Sequence, residues 1–287
     1  TAAANLFRLA PKDGTTIGAI FPGIIMAPMF EERAGIQFDP TKFNYLATAD
    51  SGTRVCITGP RSKVKTILDA RNQKVLMGAS AAGGSTRDYA AFNKHGLGAQ
   101  FEVINGYKGT TDIHLAMERG ELQGMGSNAW LSLKALNADW IKEGKVIPIV
   151  HFNFERHPDL PQVPTIFDAT KTESDRQAMA LMVGRLEYGR PFFLPPGVAP
   201  ERVTYMRRAF DATVKDAAYL ADADRAKIDV DPITGERVNE LVEKAMQTPA
   251  DVVKRVRETL ESGGKYEDMK QEQDAGYRLA VDIGGTF

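Results

Sequence analysis

At 287 residues, with 43% hydrophobic and 25% charged side chains, the chain is long enough for two domains with cores of their own. A formal net charge of −1 argues against a nucleic-acid or anionic-membrane partner. The one cysteine, Cys56, excludes an internal disulfide, and no uninterrupted apolar run reaches the length of a transmembrane helix.

Taken in order, Thr1 to Ala10 reads as a helix stopped by Pro11, with a turn at Lys12-Asp13-Gly14. Thr16 to Phe21 reads as a strand broken by Pro22-Gly23, and Ile24 to Phe30 as a short helix. Leu46 to Asp50 is a further strand ending in a polar loop, and Val55 to Thr58 is expected to pair nearby. Phe21 and Asp50 thus fall at strand ends, where they are either ligand contacts or plain turn residues. Cys56 lies in the apolar run Val55-Cys56-Ile57 and reads as a buried structural thiol. Arg61, Lys63 and Lys65 precede a helix around Thr66 to Arg71, and a first crossover between domains is placed near Pro60.

The most informative stretch runs from Lys74 to Gly124. Val75-Leu76-Met77 is a short apolar strand, Gly78 to Ser85 a glycine-rich loop, and Thr86 to Lys94 a helix closed by Gly96. Phe101 to Ile104 is the next strand. A turn, Asn105 to Gly109, leads into a helix capped by Thr110 or Thr111 and ended by Gly120. Leu122 to Met125 opens another strand. This β-loop-α-β-α-β order belongs to sheets with helices on their faces, which bind ligands at the carboxyl ends of their strands.

Two readings of the loop stand side by side. In the first, Gly83 and Gly84 let the backbone approach an anion, the helix start at Ser85 and Thr86 supplies amides and a positive dipole end, Ser80 adds a hydroxyl, and Arg87 clamps a carboxylate. In the second the loop is only a tight turn, with Ser85 or Thr86 as N-cap and Arg87 solvated. The spacing Gly78-x4-Gly83 imitates a phosphate loop, but Gly84 stands where that motif needs lysine, which removes the nucleotide reading. Tyr107 lies in the turn after the next strand. Ser127 and Asn128 end the following one, facing the loop as ligand donors if the strands are parallel neighbours, capping a helix that begins at Ala129, or doing both.

The remainder alternates in the same way. Trp130, Leu131, Leu133 and Leu136 suit a helix face, Val146 to Phe152 a core strand, Thr172 to Gly184 a helix, and Arg190 to Leu194 a strand. Pro200 to Ala217 carries Val203, Met206, Phe210 and Val214 along one helical face. Asp222 to Val230 and Thr234 to Met246 are helical or mixed, and Pro249 to Ser262 is a last helix ended by Gly263-Gly264.

Five segments in this order resemble the substrate-binding receptors of tripartite tricarboxylate transporters, the Bug family. They are Ala10 to Gly18 (APKDGTTIG), Gly78 to Ser85, Val103 to Gly109 together with Leu115 to Gly124, Leu160 to Thr165 (LPQVPT), and Phe192 to Glu201. The resemblance spans roughly residues 1–260. It implies an α/β fold of the periplasmic-binding-protein type II kind, with mixed sheets, flanking helices and an interdomain cleft. It further implies capture of a small organic carboxylate, delivery to membrane permease subunits, a periplasmic location, no cofactor, and a monomer. Against the family pattern the chain reads as N-terminally incomplete, lacking the first strand, a loop and an export signal. The expected division is residues 1–62 with 195–265, residues 63–194, and a tail at 266–287. Within that tail, Tyr277 to Phe287 resembles the opening of hydantoinase/oxoprolinase-type ATPases, without the further loops that would make Asp282 usable.

An enzyme is the alternative. His95, His114, His151 and His157 stand in no metal-binding spacing, and no Gly-x-Ser-x-Gly elbow is present. A hydrolytic pair of Ser80 or Ser85 with His95 or His114 is the form it would take. The expectation is a receptor, not an enzyme, with neither catalytic residues nor a metal.

Overall fold

The computed structural model describes residues 2–30, 38–49, 52–81, 83–226, 228 and 230–261. The helix and strand order begins α1 (Ala2–Arg8), β1 (Gly18–Ala19), α2 (Pro22–Phe30), β2 (Asn44–Thr48), β3 (Arg54–Thr58) and β4 (Val75–Gly78). It continues α3 (Ser85–His95), β5 (Phe101–Ile104), α4 (Thr110–Arg119), β6 (Gly124–Ala129), α5 (Trp130–Leu136), α6 (Ala138–Lys142) and β7 (Ile147–His151). The last part is α7 (Ile166–Ala169), α8 (Glu173–Glu187), β8 (Pro191–Leu194), α9 (Pro200–Thr213), α10 (Ala217–Ala226), β9 (Ile233–Thr234), α11 (Gly235–Met246) and α12 (Ala250–Glu261). Among the described residues no helix is long and apolar enough to cross a membrane.

The chain divides into two units, described here one at a time. Of the described residues, the first takes those within 2–49 and 184–248, and the second those within 52–183 and then 249–261. The first unit holds a sheet of order β1-β8-β2-β9, with every pairing antiparallel. Its core is aromatic: the Phe43 and Phe193 rings lie 4.4 Å apart, and Tyr45 is 5.8 Å from Phe193. Helix α11 buries Val238, Leu241 and Val242, an i, i+3, i+4 stripe, beside them. Helix α9 starts at Pro200, where a missing N–H costs nothing, and packs Val203 against Leu46, Leu194 and Val198. Phe210 meets Phe192 at 5.1 Å, so the expected apolar face is present.

The second unit holds a sheet of order β5-β4-β6-β3-β7. Strands β5, β4 and β6 run parallel, and β3 is antiparallel to both β6 and β7. Met125 of β6 shares a cluster with Ile113 of α4, whereas a side chain on the next residue, Gly126, would run into Thr86 and Ala90 of α3. Successive strand residues point to opposite faces, so α3 and α4 cover the two faces of the sheet. Cys56 is fully buried in β3, and burial pushes its thiol pKa up, as expected for a structural thiol.

Several sequence expectations are corrected. Strand β3 does not pair with β2; its Val55, Cys56 and Ile57 are buried between two neighbours in the second sheet. The first crossing accordingly falls between Ala49 and Gly52 and not near Pro60, and the second falls at 183/184, which gives β8 to the first unit. The last helix does not stay with the first unit. α12 returns to the second, burying Val252, Val256 and Leu260. Residues around Thr66 form only a short 3-10 turn, Asp69–Arg71, because the Asp69 carboxylate accepts from the Lys65 and Thr66 amides and holds the backbone in a turn. The Tyr277 to Phe287 segment lies outside the described residues.

Candidate functional site

At the carboxyl end of β4 the chain turns through a loop stitched by its own polar groups. The Ala79 amide donates to the Ile104 carbonyl (2.9 Å), and the Tyr107 amide donates to the Ala79 carbonyl (3.2 Å). The ends of β4 and β5 are thereby held together, and Tyr107 is brought beside the loop. The Ser80 amide donates to the Thr86 hydroxyl (2.9 Å), and the two hydroxyl oxygens are 2.7 Å apart. Gly83 has φ of +79°, a conformation that favours glycine, and its amide donates to Asp88 Oδ1 at 3.2 Å.

Helix α3 therefore starts differently from expectation. Its N-cap is Gly84 in extended conformation, without a side-chain cap, and the Asp88 amide makes the first intrahelical bond, to the Gly84 carbonyl. Ser85 is already the first helical residue. Thr86 does not cap; its hydroxyl, 5% exposed, reaches back to Ser80. An α-helix beginning at Ser85 leaves the amides of Ser85 and Thr86 with no intrahelical acceptor, at the positive end of its dipole.

Arg87 departs from both of its expected roles. It is buried, so it is not solvated, and its guanidinium is turned to the protein and not held out as a clamp. Nη2 donates to the Leu260 carbonyl of α12 at 2.9 Å, and Nη1 lies 3.6 Å from Asp88 Oδ1. No local pattern signals this, because the acceptor lies far along the chain on a helix expected in the other domain.

Strand β6 is parallel to β4, with Gly78 in register with Met125, so Ser127 and Asn128 extend past the end of β4 on the loop side of the sheet. They do not cap a helix: α5 begins at Trp130 with Ala129 as an N-cap lacking a side-chain bond, and the Trp130 amide donates to Thr53. Both residues are buried within β6. The Ser127 hydroxyl has no hydrogen-bond partner among the described residues. Asn128 Nδ2 lies 2.8 Å from Nε2 of His114 on α4, whose ring is 5.7 Å from that of Trp140. Burial holds the His114 pKa below its ordinary value. This contact escaped the sequence reading, where His114 figured only as a hydrolytic base.

Ser80 and His114 thus direct these groups to Thr86 and Asn128. Among the described residues no cluster of three His, Cys, Asp or Glu could hold a metal ion. Phe21 belongs to the first unit, just before α2, with the Arg190 guanidinium 5.5 Å from its ring. Asp50 lies outside the described residues.

No protein-family model matches the chain. A search of curated proteins also finds no match. Solved structures do match. A protein of R. palustris solved with adipate is 18% identical, with a TM-score of 0.62 over 90% of this chain and 82% of that one. The periplasmic binding protein BugD is 16% identical, with a TM-score of 0.62 over 91% of this chain and 82% of that one. MatC from Rhodopseudomonas palustris, with bound malate, is 16% identical, with a TM-score of 0.60 over 91% of this chain and 84% of that one. At such identities the likeness concerns architecture: the chain has the α/β fold of periplasmic binding proteins.

Proposed function

We propose that this protein is a solute-binding receptor for a small organic carboxylate, without enzymatic activity, serving permease subunits of a tripartite tricarboxylate-type transporter in the periplasm. The observation that carries the reading is the end of the parallel strands in the second unit. There the amide-bearing start of α3 packs against Gly126 of β6, and the next residue of that strand, Ser127, has a buried hydroxyl with no partner among the described residues. The amides of Ser85 and Thr86 would take the carboxylate. Ser80, Gly83, Gly84 and Tyr107 shape and hold the loop, and Ser127 and Asn128 supply further polar contacts. Arg87 serves by fixing α3 against α12. Solved proteins of the same fold contain adipate and malate, which supports the choice of ligand class.

The test is a thermal melt with a panel of small carboxylates that includes adipate and malate. A ligand present at about 100 times its dissociation constant stabilises the native state by roughly 2.7 kcal/mol. A rise confined to one acid class, with the acid recovered intact, supports the receptor. Turnover of the acid supports the hydrolase, and the absence of any shift across the panel counts against both.

A further inference from the structure

Asn128 and His114 meet nitrogen to nitrogen, 2.8 Å apart. Only one protonation pattern makes that contact attractive. The amide Nδ2 carries hydrogens and no lone pair to offer, so Nε2 of His114 must be the acceptor and its ring must be neutral, with the proton on Nδ1. A protonated ring would place two donors against each other. The Asn128 side chain would then have to turn its amide over or leave.

The surroundings favour the neutral ring. His114 is half-buried on α4 and faces Trp140, and burial is the cause that lowers its pKa from 6.5. The charged groups of the elements around it are Asp112, Glu118 and Arg119 on α4 (the last paired with Glu121), Asp139 and Lys142 on α6, and Glu143 and Lys145 in the turn that follows. Across the sheet, Val55 of β3 stands in register with both Asn128 and His151, and Arg54 precedes it.

We propose that His114 is a positioning residue for Asn128, setting which edge of that amide the binding end of β6 presents, so that solute affinity falls when the ring takes a proton. The proposal rests on the receptor reading above, and it would give the receptor weaker affinity in acid. His114 need not touch the solute.

Two measurements on the whole chain separate this proposal from that reading. The first uses no ligand: the side-chain amide of Asn128 and the ring of His114 are followed by NMR between pH 7.5 and 4.5. The amide resonance is expected to titrate with the His114 midpoint, below 6.5, and to stop doing so in His114→Ala. An Asn128 amide indifferent to the state of His114 overturns the proposal even if the receptor binds well.

The second measures adipate and malate affinity at pH 7 and pH 5. His114→Ala should weaken binding about tenfold at pH 7, the scale of one hydrogen bond, and Asn128→Ala should do the same with no further loss in the double variant. His114→Gln, whose side-chain oxygen can accept the same N–H, should keep most of the affinity while losing the acid sensitivity that remains in Glu118→Gln. Equal acid sensitivity in wild type and Asn128→Ala overturns the link to affinity. Binding of neither acid by the wild type, with the amide still titrating, sinks the receptor reading for these acids and the affinity claim, but leaves the positioning of Asn128 by His114 supported.

Discussion

The two units solve the burial problem in different ways. The first packs aromatic rings between antiparallel strands, and its buried polar or charged side chains among the described residues are Thr48 and Arg185 alone. The second buries Thr86, Arg87, Asp88, Asn93, Ser127, Asn128 and His151 around its mixed sheet. A buried polar group costs free energy unless it is paired, and the side chains of Asn93, Ser127 and His151 hold atoms with no hydrogen-bond partner among the described residues, so this unit gives up stability there. The contrast teaches where to look for chemistry: the first unit is built for packing, and the second carries the polar groups that recognition needs.

The sharpest way to break the comparison is Phe193→Ala. Emptying a ring site between Phe43 and Tyr45 should cost about 3–5 kcal/mol, read as a shift of the denaturation midpoint. A small cost would mean that the aromatic cluster is not what holds the first unit together.

Next comes acid. His151 is fully buried in β7, and neither ring nitrogen has a hydrogen-bond partner among the described residues. Burial, then the neighbouring His157, depresses its pKa to about 4, with Asp168 opposing and Arg156 adding to the depression. The unfolded chain binds the proton more readily than the folded one, so stability is complete above pH 6.5, declines toward pH 4, and levels below it. The full span is about 3 kcal/mol, and it should vanish in His151→Leu when denaturation is followed from pH 7 to pH 4. A slope unchanged in that variant would assign the acid sensitivity to other groups.

Gly126→Ala is the third test. An added methyl would lie 2.5 Å from the Thr86 carbonyl oxygen and 2.7 Å from the Ala90 amide nitrogen, both backbone atoms that cannot step aside singly. The expected loss is about 1–3 kcal/mol, with carboxylate binding weakened more than Phe193→Ala weakens it, because α3 itself is displaced. Equal effects on binding would erase the division of labour between the units. The smallest effect is expected at Lys215→Ala, which removes an exposed pair with Asp211 just past the end of α9 and should change stability by less than about 0.5 kcal/mol.

Much of this was legible in local pattern. The short apolar runs of β4 and β5, the glycines around the loop and the helical spacing in α9 and α11 are signals carried within a dozen residues. What was misread depended on partners far away. Val55 to Thr58 looks like any β-rich run, and nothing local says whether it joins β2 or β6. Thr86 is a fair cap by residue type, but its hydroxyl was already engaged with Ser80 six residues earlier. Ser127 and Asn128 are cap residues by type just before a helix, yet β6 continues through Ala129, and the partner of Asn128 is His114 of α4. Arg87 needed knowledge of α12.

That last helix bears on how the molecule is made. The second unit's strands all lie before residue 152, yet Arg87 donates to the carbonyl of Leu260 and Asp175 accepts from Arg255 at 2.7 Å. As the chain leaves the ribosome, the whole first unit is synthesised before α12 can dock. Through that interval α3 lacks its acceptor for Arg87, and the surface that α12 will cover stays wet. The unit that begins to form in the middle of synthesis is finished near its end, so a nascent chain stopped at Thr248 should bind no solute even with every loop residue already present.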